Sequence, residues 1–147
     1  MYLEYVELYF KKNQAEKDYN TAIDNKQKLL YTVMPHSIVP NDVVNHLSSS
    51  TPGSNFINYS DRVTEIDENI KNTRDIFDNR TYLLKLKEAE LRESKDILDR
   101  IYVYHWLDKK KISKFYRLVG YTREYTYDIV DKMQLEINEV RKKVQES

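Results

Sequence analysis

The chain has 147 residues, with 24 Lys/Arg balancing 24 Asp/Glu, 33% charged and 40% hydrophobic residues, and no cysteine. Zero net charge argues against a protein that coats phosphate through bulk charge alone, and the lack of Cys excludes disulfides and Cys-ligated zinc and fits a reducing cytosol. Only two Gly and three Pro are present and no apolar run approaches the roughly 18 residues of a membrane span, so an all-α, cytoplasmic chain is expected, with no contact to membrane.

Residues 2–33 read as the first helix, an N-terminal arm. Leu3, Val6 and Phe10 make one apolar stripe, and Ala15, Tyr19, Ala22, Leu29 and Val33 continue a face at helical spacing. The stripe is thin, so this helix needs a packing partner. The start, Met1-Tyr2-Leu3-Glu4-Tyr5, lacks the basic-then-apolar order of a signal peptide.

Residues 34–60 read as a linker. Met34-Pro35, Val39-Pro40 and the run Ser48-Ser49-Ser50-Thr51-Pro52-Gly53-Ser54 are breaker chemistry, with room for one helical turn over Pro40–Leu47. Residues 48–55 are expected to be protease-sensitive.

Residues 61–106 read as one long helix, bundle- or coiled-coil-like. Ser60 is its expected N-cap, because Asp61, Glu65, Asp67 and Glu68 crowd the first turns. A three-four alternation picks out Val63, Ile66, Ile70, Thr73, Phe77, Arg80, Leu84, Lys87, Leu91, Ser94, Leu98 and Ile101. Ile76, Leu83, Leu86 and Ile97 widen that stripe, as expected for a packed bundle helix. The N-terminal helix is expected antiparallel to part of it, the alternative being that either helix pairs across a dimer. The stripe is wider than one thin helix can cover, so a homo-oligomer through the long helices is expected.

Residues 107–147 read as a helix-turn-helix domain, with helices over 107–121 and 122–146. Gly120 sits where the first helix should stop and can take positive φ without a Cβ clash. Thr122 suits an N-cap. A short Gly-containing turn between two helices is the motif's signature. Ile112, Phe115 and Val119 should face inward, met by Tyr121, Thr126 and Ile129; Ile129, Met133, Ile137, Val140 and Val144 form the face of the last helix. Arg123, Glu124, Tyr127, Asp128 and Asp131 should point outward, which in this motif is toward the major groove. Arg123 has the donor fork to read guanine. Lys109, Lys110, Lys111 and Lys114 would meet the DNA backbone. Residues 101–147 hold ten Lys/Arg and seven Asp/Glu, so the basic excess falls on this end. Two features oppose DNA: the carboxylates of Glu124, Asp128 and Asp131, and Tyr116, a bulky residue where the two helices approach. A helical hairpin with no DNA role accounts for the same pattern.

Residues 97–137, and above all Leu118-Val119-Gly120-Tyr121-Thr122-Arg123-Glu124-Tyr125-Thr126-Tyr127, resemble the C-terminal part of phage and prophage late-gene regulators of the RinA/ArpU type. Their last domain is similar to region 4 of sigma factors. The resemblance implies a sequence-specific activator in a bacterial host cell. It implies double-stranded DNA as partner and Thr122, Arg123, Tyr125 and Tyr127 beside the four lysines as DNA-binding residues. Members often carry basic residues where Asp128 and Asp131 stand. The runner-up is an interaction protein that binds a host or phage protein through its helical arm. Trp106, with Tyr102 and Tyr104, reads as core at the join of long helix and C-terminal domain, its alternative being a contact to RNA polymerase. His36, His46 and His105 lack metal-ligand spacing, and no Gly-rich phosphate loop or Ser/His nucleophile motif occurs. No enzyme, metal or cofactor is expected.

Overall fold

The computed structural model describes the backbone of residues 1–33 and 54–146, and the side chains of 1–30 and 59–146. Every regular element among the described residues is helical, so the chain is all-α. We number these α1 (Tyr2–Val33), α2 (Ser54–Glu93), α3 (Ile97–Tyr102), α4 (Ile112–Phe115) and α5 (Arg123–Glu146), with a π turn over Val103–Leu107 continuing α3. No helix among the described residues is long and apolar enough to cross a membrane. Residues 34–53, including the turn expected over Pro40–Leu47 and most of the protease-sensitive stretch, lie outside the described residues.

The chain divides into two compact units, Ala15–Asp78 and Met1–Gln14 with Asn79–Ser147. In the first, α1 and α2 run antiparallel: Tyr19 stacks on Phe77 with centroids 6.3 Å apart, and Lys26 meets Asp67 at 2.7 Å. The fully buried residues of α1 here are Ala15 and Ala22, seven apart. Their small side chains let the two backbones approach. Val63, Ile66, Ile70, Thr73 and Phe77 are half-buried, as the three-four alternation predicts. Thr73 is tolerated in that seam because its hydroxyl donates to the Asn69 carbonyl at 2.8 Å within its own helix.

In the second unit α1 and α2 are again antiparallel. The polar seam residues have specific partners here. Arg80 donates from Nη1 to the Lys11 carbonyl at 2.9 Å, and Lys87 reaches Glu4 at 2.6 Å. Leu84 and Leu91 between and beyond them are buried.

Several boundaries differ from the sequence reading. The helix expected from Ser60 begins at Ser54, so the last seven residues of the expected linker are helical. Ser60 is internal, and its carbonyl accepts from the Thr64 hydroxyl at 2.9 Å instead of capping. The single helix over 61–106 is interrupted at residues 94–96. Ser94 and Asp96 are residues whose side chains compete with the backbone for hydrogen bonds. Ser94 donates to Asp99 at 2.6 Å, and Asp96, in extended backbone, caps α3 by accepting the Leu98 N–H at 2.9 Å. The seam survives the break at Ile101 but loses Leu98 to solvent. Ile76, Leu83, Leu86 and Ile97 are exposed and do not widen the buried stripe.

Candidate nucleic-acid interface

Phe115 is the centre of the C-terminal helices. It is completely buried, as is Ile101 of α3, among Ile112, Val119, Val130, Met133 and Ile137. Burying one such side chain contributes roughly 1.5–3 kcal/mol. Of the inward set predicted for the turn, Ile112, Phe115, Val119 and Thr126 are buried, and Tyr121 and Ile129 are half-buried against the core. Val130 joins it, one residue past Ile129.

The first helix of the motif is shorter than the expected 107–121. Regular α-helix covers Ile112–Phe115. The chain then tightens into three-residue turns, with Leu118 N–H donating to Phe115 at 2.9 Å and Gly120 N–H to Arg117 at 3.3 Å. Arg100 reaches over from α3 and donates to the Leu118 carbonyl at 3.3 Å, satisfying an acceptor the tightened turn leaves free. Gly120 has φ +82°, the left-handed conformation that ends the helix. Thr122 then opens α5: its hydroxyl accepts the Tyr125 N–H at 3.2 Å and its carbonyl the Thr126 N–H at 3.0 Å. The Thr122 oxygen is thus engaged at the helix end, which gives this residue a positioning part.

Lys109, Lys110, Lys111 and Lys114 are all exposed, and none has an ion-pair partner among the described residues. They lie before and within α4. Lys110 holds its ammonium 5.3 Å over the Tyr104 ring. Arg123, at the first position of α5, is exposed and stands 5.7 Å over the Tyr127 ring. A hydrogen bond to Tyr127 raises the already high pKa of its guanidinium. Tyr125 and Tyr127 are about half exposed, and Tyr125 meets Tyr121 edge to face at 4.9 Å. Glu124, Asp128 and Asp131 are exposed, opposite the buried Thr126, Val130 and Met133, and Leu135 continues their line. Tyr116 does not block the helix approach. It is half-buried against the core, and its hydroxyl accepts from Arg117 Nε at 3.1 Å.

Trp106 stacks on Tyr102 at 5.3 Å and is half-buried at the join, as read from the sequence. His105 packs its ring against Trp106 and Phe115. No group of His, Cys, Asp and Glu among the described residues could hold a metal ion.

Periodicity gave no hint of Asp99, which reads as one more surface carboxylate. It is buried, accepts the Tyr2 N–H at 2.9 Å and the Ser94 hydroxyl, and lies 3.8 Å from the terminal ammonium. Tyr2 also donates its phenol to Glu136 of α5 and stacks on Tyr102. One residue at the start of α1 thereby touches both α3 and α5. Such contacts span more than ninety positions and have no local signature.

No family model matches the chain. Among curated proteins, the formin BNR1 of Candida albicans is similar, 33% identical over 96 residues that cover 59% of this chain and 6% of the formin. The chain accordingly spans about 6% of the length of that relative. No solved structure matches.

Proposed function

We propose that this chain is a sequence-specific, double-stranded DNA-binding regulator that activates phage or prophage transcription in the bacterial cytoplasm, without enzymatic activity or cofactor. One observation carries the reading. The Gly120–Thr122 turn opens α5 with an exposed Arg123, and the four preceding lysines are exposed and unpaired with acid. In this reading the start of α5 enters the major groove, where Arg123 donates to guanine O6 and N7. Lys109, Lys110, Lys111 and Lys114 neutralise phosphates on the flanks. Tyr125 and Tyr127 offer ring faces to thymine methyls or hydroxyls to phosphate.

The test is a salt titration of binding to duplex fragments flanking the source gene. Four lysine–phosphate contacts give a slope of roughly −3 to −4 in log K against log salt. Absence of salt-dependent binding to any duplex overturns the reading.

The outward line Glu124, Asp128, Asp131 and Leu135 favours a protein partner over DNA, and so the runner-up, an interaction protein with a helical arm whose α5 would add to the binding surface. If Asp128→Ala abolishes function while no form of the chain binds DNA, that reading replaces the first. In either case we propose a homo-oligomer through α2, on which Ile76, Leu83 and Leu86 are exposed at three-four spacing around Asn79. Light scattering showing a monomer at micromolar concentration overturns it.

A further inference from the structure

Two described residues have left-handed backbone, Gly120 at φ +82° and Lys109 at φ +54°. The chain spends one of its two glycines on the first. At the second it keeps a Lys, whose Cβ clashes with the backbone in that conformation. The geometry around Lys109 requires left-handed backbone. Asp108 N–H donates to the Val103 carbonyl and Lys110 N–H to the Tyr104 carbonyl, both at 2.8 Å. These bonds close the π turn with a left-handed cap, a position where Gly or Asn is the ordinary choice. Backbone strain that a better residue would remove is a pointer to function when the side chain itself is wanted. Nothing within the fold uses this side chain: Lys109 is exposed and has no ion pair among the described residues. Its neighbour Asp108 is engaged with Arg92 at 3.1 Å.

We propose that Lys109 is retained in a strained conformation for its ammonium group, as the anchoring phosphate contact of the lysine cluster. This rests on the DNA-binding reading above. The left-handed residue turns the chain between the π turn and α4, so Lys109 stands at the corner of the cluster. Lys110 beside it is drawn onto the Tyr104 ring. The backbone at Lys109 is pinned by the two flanking bonds, so its ammonium is offered from a fixed point, at less ordering cost than one on a mobile loop.

The experiment compares Lys109→Gly, Lys109→Asn and Lys109→Arg with Lys111→Ala in the full chain. Thermal unfolding and salt-titrated binding to a random-sequence duplex are the readouts. Gly and Asn relieve the strain, so Tm should rise by about 2–4 °C. Both should also weaken duplex binding more than Lys111→Ala does, with the salt slope reduced by about one unit. Lys109→Arg should keep the wild-type Tm and affinity. A Lys109→Gly variant with unchanged or lower Tm overturns the strain argument. A variant that gains stability and binds like wild type, while Lys111→Ala loses affinity, overturns the anchoring role and leaves DNA binding standing. If the wild type itself shows no salt-dependent retention on duplex or heparin, the DNA reading falls, and this one with it.

Discussion

The unit Ala15–Asp78 and the helices around Phe115 solve the same problem differently. Both must remove apolar surface from water with amphipathic helices. Among the described residues of Ala15–Asp78 the fully buried side chains are two alanines, and the rest of the seam is half-buried. A pair of helices encloses little, so it gains close approach and leaves the larger side chains partly wet. The largest fully buried side chains among the described residues, Phe115, Leu91, Ile101, Val6 and Thr126, all belong to the other unit, where several helices converge. Charge does not follow that division. Lys26 and Arg74 of Ala15–Asp78 have acidic partners, and so do Lys11, Lys87 and Arg92 of the other unit, whereas the cations from Lys109 to Lys114 have none among the described residues. Burial is deepest where helices converge, and the unpaired lysines cluster in one stretch of that same unit.

The largest expected effect tests the first half of that comparison. Phe115→Ala removes a completely buried ring and should cost about 3–5 kcal/mol. Phe77→Ala, half-buried against Tyr19, should cost markedly less, because solvent already reaches the site. Chemical denaturation of both variants measures the difference. Equal losses would mean that the helix pair contributes as much as the multi-helix core, and the comparison would break.

Alkaline titration sharpens it from another side. Burial pushes Tyr5 up to about 12, and burial also lifts Tyr2 and Tyr102, with Glu136 at the Tyr2 hydroxyl adding to the effect. All three lie in the same unit. A tyrosine raised in the folded state holds its proton there after the unfolded chain has lost its own. Stability is therefore intact below about pH 10 and falls as pH rises toward 12. Absorbance should show a late tyrosinate phase coinciding with loss of helical signal. A late phase that tracks no unfolding would remove these tyrosines from the core's account.

Arg123→Ala should cost about 1–3 kcal/mol of duplex affinity, confined to particular base pairs, if its fork meets guanine. Lys110→Ala and Lys111→Ala should instead weaken all sequences alike and flatten the salt slope by about one unit each. Band-shift titrations on matched and scrambled duplexes separate the two patterns. Asp128→Ala should leave affinity unchanged or raise it.

What could be read in advance divides along physical lines. α1 starts at Tyr2, where the apolar spacing of Leu3, Val6 and Phe10 sets in, and stays helical through the face read up to Val33. The seam from Val63 to Leu91 was legible down to its polar members, since the three-four period depends only on spacing. The same period hid the break at residues 94–96, because Leu91 and Ile101 stay in register across it. Gly120 and Thr122 announced the turn, each by chemistry that few other residues supply. Lys109 could not be foreseen as left-handed, since nothing local distinguishes it from Lys110 or Lys111. Asp99 and Tyr2 required the tertiary contact itself.

The smallest effect belongs to the surface ion pairs. A hydrogen bond from Lys87, and its charge, hold the Glu4 carboxyl below its ordinary pKa; Glu4 faces solvent, while Lys87 is half-buried in the seam. A carboxylate lowered in the folded state adds stability above its unfolded pKa and loses it as pH falls through the folded value. Glu4→Gln should therefore leave the alkaline limb of the stability profile untouched and shave only a little from the neutral plateau. Even that should fade at physiological salt, where screening acts over about 8 Å. Thermal melts at pH 3, 5 and 7, at low and high salt, measure it. If Glu4→Gln instead lowered Tm as far as opening the Phe115 core does, paired surface charge would rank beside burial within that one unit, and burial alone would no longer account for its stability.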